Sequence, residues 1–171
     1  MIVGVEASIT IITTFANDPD SFEGMSLVER RQRSGGWKEF PLRSRRYLDT
    51  FLMAATDSDF GVFPSTDKPV DADGATVETR LITKGSVSSM IAELEAMIAK
   101  PDETARALID RGGGKADLAC VTEALTTGNW PESGDAAEET AAFTFQLLKH
   151  ARFAKTDLRG VCLEYRGDVT V

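Results

Sequence analysis

Hydrophobic residues change their spacing twice along this chain, and that change limits the possible folds more than any other feature. From Val3 to Phe15 they alternate: Val3, Val5, Ala7, Ile9, Ile11 and Phe15 share one parity, Glu6, Ser8, Thr10 and Thr14 the other. A two-residue period rich in β-branched side chains predicts a half-buried strand. From Ser86 the period becomes helical, with Val87, Met90, Ile91, Leu94, Met97 and Ile98 recurring at intervals of three and four. Alternation returns at the end, where Val161, Leu163, Tyr165, Val169 and Val171 oppose Cys162, Glu164, Arg166 and Asp168. Strands first, helices in the middle and a strand last predict an α+β fold. Half-polar strands favour one solvated face over a doubly covered parallel sheet. The expectation is a single domain over 1–171, with an antiparallel or mixed sheet of about four to six strands packed on one face by helices.

Turn and cap residues divide the rest. Asn17-Asp18-Pro19-Asp20 breaks the first strand. Residues 26–33 and 37–42 suggest a hairpin about Ser34-Gly35-Gly36, with Pro41 keeping the second arm at an edge. Ser44 suits an N-cap for a helix striped by Tyr47, Leu48, Phe51, Leu52 and Ala55. Residues 57–74 read as a loop in which Phe60, Val62 and Phe63 either form a short strand or tuck under it, and 75–82 as a strand. Pro101 opens a second helix that ends at Arg111-Gly112, and Asp117 to Thr127 forms a third, closed by Gly128. Asp135 and Glu138 resemble a capping box for the longest helix, to about Ala154. Its apolar residues wrap more than one face, so it is either central or meets another chain.

Composition narrows the chemistry. The 171 residues suffice to bury roughly 70% of the unfolded surface without metal or disulfide. The longest apolar runs, such as Phe51 to Ala55, fall far short of the roughly 20 residues that span a bilayer. Met1 to Glu6 lacks a basic region, so no signal peptide is expected, and Cys120 and Cys162 are expected as reduced thiols in a cytoplasm. With one histidine, His150, and two separated cysteines, the chain is poorly equipped for nucleophilic, zinc-assisted or imidazole chemistry. No catalytic, cofactor-binding or metal-binding residue is assigned.

Four motifs carry little. Arg111-Gly112-Gly113-Gly114-Lys115-Ala116 departs from a phosphate-binding loop, because Ile109 stands at the first glycine position and Ala116 replaces the hydroxyl. It reads as a helix connection. The aspartates at 57, 59, 67, 71 and 73 lack calcium-loop spacing and read as a solvated loop. Arg166-Gly167-Asp168 is too short to be specific. His150 reads as a helix-surface residue, Cys120 as a small core residue beside Val121 and Leu125, and Cys162 as partly exposed.

Charge distribution says more. The net charge of −8 argues against a general nucleic-acid binder. Yet residues 30–46 hold seven bases against one acid, while 86–139 hold eleven acids against four bases. Arg30, Arg31, Arg33, Arg43, Arg45 and Arg46 interleave with Trp37, Phe40 and Tyr47. Arginine, tryptophan and tyrosine are enriched at binding hot spots. The competing reading pairs these arginines with the chain's own acids. The leading expectation is a non-catalytic cytoplasmic protein that binds a protein partner, as inhibitors, immunity-type proteins, chaperones and anti-defence proteins do. Arg30, Arg31, Arg33, Trp37, Arg43, Arg45, Arg46 and Tyr47 are the candidate contact residues. One alternative is an enzyme using carboxylates and arginines on a small anionic substrate. Another is a subunit of a homo-oligomeric assembly.

Overall fold

The computed structural model describes residues 7–13, 36–44, 62–64, 76–82, 84–111, 113–156 and 161–167. In chain order these form β1 (Ser8–Thr13), β2 (Gly36–Pro41), β3 (Val62–Pro64), β4 (Thr76–Ile82), α1 (Lys84–Ala99), α2 (Pro101–Arg111), α3 (Leu118–Thr127), α4 (Ala136–Thr156) and β5 (Val161–Gly167). The strands run in the order β2-β1-β5-β4-β3, with every neighbouring pair antiparallel. Ile9 stands opposite Phe40 of β2, and Ile11 opposite Leu163 of β5. The last strand therefore closes beside the first.

This arrangement corrects the expected one. The sheet was to hold about four to six strands, antiparallel or mixed, with one face in solvent. The strands whose described side chains enter the core form a three-stranded antiparallel block, β2-β1-β5, covered by α1 and α4, with α2 and α3 packed on α4. β4 and β3 continue the ladder beyond it by backbone pairing, and no parallel pair occurs among the described strands. Nor is β1 half-buried. Ser8, Thr10 and Ile12, on the face expected in water, are as buried as Ile9 and Ile11. Glu164 of β5, opposite Thr10 and also on the expected polar side, is 3% exposed. Alternation tells which face of a strand is apolar; it does not tell whether the other face is covered. The 37–42 arm of the expected hairpin is β2, paired with β1, whereas 26–33 lies outside the described residues. So do most of the helix expected after Ser44 and of the aspartate-rich loop.

The helices follow their sequence signals closely. The α1 stripe of Val87, Met90, Ile91, Leu94 and Met97 is buried and joins Phe143, Leu147, Leu148, Ala151 and Ala154 of α4 over the sheet residues Ile9, Ile11, Phe40, Val161 and Leu163. A second cluster holds Ala105 and Leu108 of α2, Val121, Ala124 and Leu125 of α3, and Ala137, Ala141 and Ala142 of α4. Every residue from Ala136 to Thr144 is buried, so the second side of α4 is covered by helices of its own chain. Asp117 caps α3 by accepting the Ala119 N–H. Gly128 closes α3 at φ +71, where a left-handed residue is needed and an added Cβ would strike the Phe145 ring. The Gly-rich connection after α2 is a helix end too, since the Gly114 N–H returns to the Ile109 carbonyl at 2.7 Å.

Cys120 departs from its expected place. It is exposed, because the buried stripe of α3 runs through Val121, Ala124 and Leu125, and position 120 lies a helical step of about 100° to one side.

Candidate functional site

β2 is the outermost described strand on its side of the sheet, and only one of its residues, Phe40, is buried. Trp37 is 47% exposed, and Lys38, Glu39 and Pro41 are exposed beside it. The Glu39 carboxylate accepts from the Ser8 and Thr10 hydroxyls of β1 at 3.4 and 3.5 Å. Phe40 turns the other way and stacks on Trp130 at 4.7 Å between ring centroids. The Trp130 Nε1–H donates to the Pro41 carbonyl at 2.7 Å, and the Leu42 N–H to the Ala7 carbonyl at 2.8 Å.

The exit from β2 is fastened by a glutamate that sequence reading missed. Glu139, in the first turn of α4, is 0% exposed. Its carboxylate accepts the Arg43 N–H at 2.8 Å, the Ser44 N–H at 3.1 Å and the Ser44 hydroxyl. Burial pushes its pKa up, and these hydrogen bonds pull the other way without cancelling the desolvation. The Arg43 side chain donates to the Pro131 carbonyl at 2.9 Å. Glu138 beside it accepts from Ser133, while its own N–H donates to Asp135 at 3.0 Å. The expected capping box is thus half formed, with its acidic arm redirected to Ser133. An acid pair inside Ala136-Ala137-Glu138-Glu139-Thr140-Ala141-Ala142 was the available signal, since a charge amid small apolar residues on a central helix requires a partner.

Of the eight candidate contact residues, Trp37 and Arg43 fall among the described residues; Arg30, Arg31, Arg33, Arg45, Arg46 and Tyr47 lie outside them. The two described ones are six positions apart along an extended strand and its exit, about 20 Å at roughly 3.3 Å per residue. They stand at the two ends of β2 and its exit and do not form a tight cluster.

The remaining groups have ordinary surroundings. His150 is half-buried with Nδ1 2.8 Å from the Gln146 carbonyl. Burial lowers its pKa, with Lys149 and Lys38 adding to the effect. The Cys120 thiol is pushed up to about 11, chiefly by its hydrogen bond to Asp117, the opposite of an activated nucleophile. An open groove of about 290 Å³ runs between α1 and α2. Among the described residues, no three His, Cys, Asp or Glu side chains gather as a metal site, and no helix is long and apolar enough to cross a membrane. No family model, curated protein or solved structure matches the chain.

Proposed function

We propose that this chain is a non-catalytic, cytoplasmic binding protein whose contact face is β2 and its exit, and whose target is a protein with an acidic surface. The observation that carries the reading is Trp37, a large apolar side chain 47% exposed on an outer strand. A tryptophan offers a large area that desolvates well, and Lys38, exposed on the other side of the same strand, adds long-range charge that steers an acidic partner. In sequence, residues 30–46 hold seven bases against one acid, so the segment that contains β2 is basic. Glu139 supports the reading as well: by clamping Arg43 and Ser44 it sets the direction in which the chain leaves the strand. A face held in place before binding loses less ordering entropy on association.

The test is affinity capture from the native host with the wild-type chain, Trp37→Ala, and Arg45→Glu with Arg46→Glu, followed by mass spectrometry. Circular dichroism serves as the control for folding. The expected result is a protein enriched by the wild type and reduced at least about 30-fold by Trp37→Ala, the loss typical of a central aromatic anchor. If no macromolecule is enriched and a metabolite library raises the melting temperature, the chain binds a small molecule and this reading fails.

A further inference from the structure

We infer that Phe153 of one copy seats in the α1–α2 groove of a second copy, so that chains join head to tail. The inference uses residues remote from β2 and does not depend on the binding reading above. Among the described residues, Trp37 and Phe153 are the exposed large hydrophobic side chains, and Phe153 is 50% exposed. It lies four positions after Lys149, so one face of α4 presents an aromatic ring beside an exposed cation, with Arg152 a helical step to the side. Arg152 also reaches Glu95 of α1 at 3.5 Å, a contact in which both partners stay more than half-way or half-way in water and which is therefore weak.

The groove has the matching chemistry. Ala96, Met97 and Ala107 give it apolar lining, and Glu93 of α1 and Glu103 of α2 supply an acid from each helix. Lys100 also lines it, leaving the acids in the majority. Its volume of about 290 Å³ is near the small end for pockets that accept a compact group. Methionine adapts its shape to an inserted ring and makes favourable sulfur–aromatic contacts. A ring beside a cation and a groove with an excess of acids are complementary in sign, and both belong to this chain. Because knob and groove are different patches, the contact is heterologous and leaves a pair with one knob and one groove unused. Growth into short chains or a ring follows, limited by the repulsion of a net −8 per copy.

Sedimentation velocity of the full chain over a concentration series reads this directly. The expected wild-type behaviour is a concentration-dependent series of oligomers, with Phe153→Asp and the double change Glu93→Lys, Glu103→Lys each weakening association at least about 30-fold. Mixing those two variants is the decisive arm. The first keeps an intact groove and the second an intact Phe153, so together they form a dimer that cannot grow. Melting curves check that each variant is folded. A wild-type chain that stays monomeric up to about 1 mM overturns the inference, since weaker contacts carry less than about 4 kcal/mol. A dimer that persists in each variant alone, or a mixture that stays monomeric, overturns it equally.

Discussion

Helix α4 carries two different kinds of interior along its length. Toward the sheet and α1 it contributes Phe143, Leu147 and Leu148, which meet Ile9, Ile11, Met90 and Leu94. Toward α2 and α3 it contributes Ala137, Ala141 and Ala142, which meet Ala105 and Ala124, with Leu108, Val121 and Leu125 supplying the bulk. The first interior is filled by large side chains between a sheet and helices. The second consists of helices whose small residues permit a short interaxial distance. One is sensitive to voids and the other to added volume. Ile98 and Trp130 pack against both, and Trp130 also bonds to the end of β2. The candidate binding strand is thus tied to the helical layer by this indole ring as well as by the Glu139 clamp on its exit.

The largest expected effect is on the sheet side. Phe143→Ala should cost about 3–5 kcal/mol in urea unfolding, the usual loss for a buried aromatic. A loss under about 1 kcal/mol would mean that the surrounding side chains collapse into the void and that the two interiors do not differ as described. Trp130→Ala should cost about 3 kcal/mol, nearer the low end because the ring is half-buried. It should also separate the unfolding transition seen by Trp37 fluorescence from that seen by far-ultraviolet circular dichroism. Coincident transitions would show that Ile98 suffices to couple the layers.

Ala141→Leu tests the helical side and should destabilise by about 1–3 kcal/mol through overpacking. Stabilisation by the extra methyl groups would reveal unfilled space instead.

The smallest effects are those of pH, and they run in opposite directions at the two ends of α4. The folded pKa of Glu139 is raised, so the native state holds its proton more tightly than the unfolded chain does. Its contribution to stability is fully present below the ordinary value of 4.5 and is lost as pH rises through the folded pKa. Measured against Glu139→Gln, the wild type should therefore lose relative stability across that window; a relative gain would contradict the burial argument. The folded pKa of His150 is lowered, so its contribution is present above 6.5 and lost as pH falls through the folded pKa. The difference between wild type and His150→Gln should shrink on acidification, as followed by thermal melting.

Particular residues show what could be read in advance. The stripe through Val87, Met90, Ile91, Leu94 and Met97 announced α1 and its buried face together. Asp117, Gly128 and Asp135 announced helix ends, because a cap acts on backbone groups two to four residues away. The basic stretch was visible as a count of charges, but its described members, Trp37 and Arg43, stand at opposite ends of a strand. Cys120 was misplaced by a single helical step. Ser8, Thr10 and Glu164 looked like solvent-facing residues, and nothing within their own strands revealed that their face is covered. Glu139 was passed over because its partners, Arg43 and Ser44, lie more than 90 residues earlier in the chain.

Which segments are helix and which strand, the order in which they occur and where the helices stop were all determined by residues acting on neighbours within a turn or a pleat. The tertiary structure alone decided that β5 lies beside β1, that both faces of β1 are buried, and that a buried carboxyl group sits at the junction of strand and helix. The physical reason is range. Periodicity and capping are local interactions, whereas burial and the pairing of buried polar groups depend on chain closure between segments that the sequence places far apart.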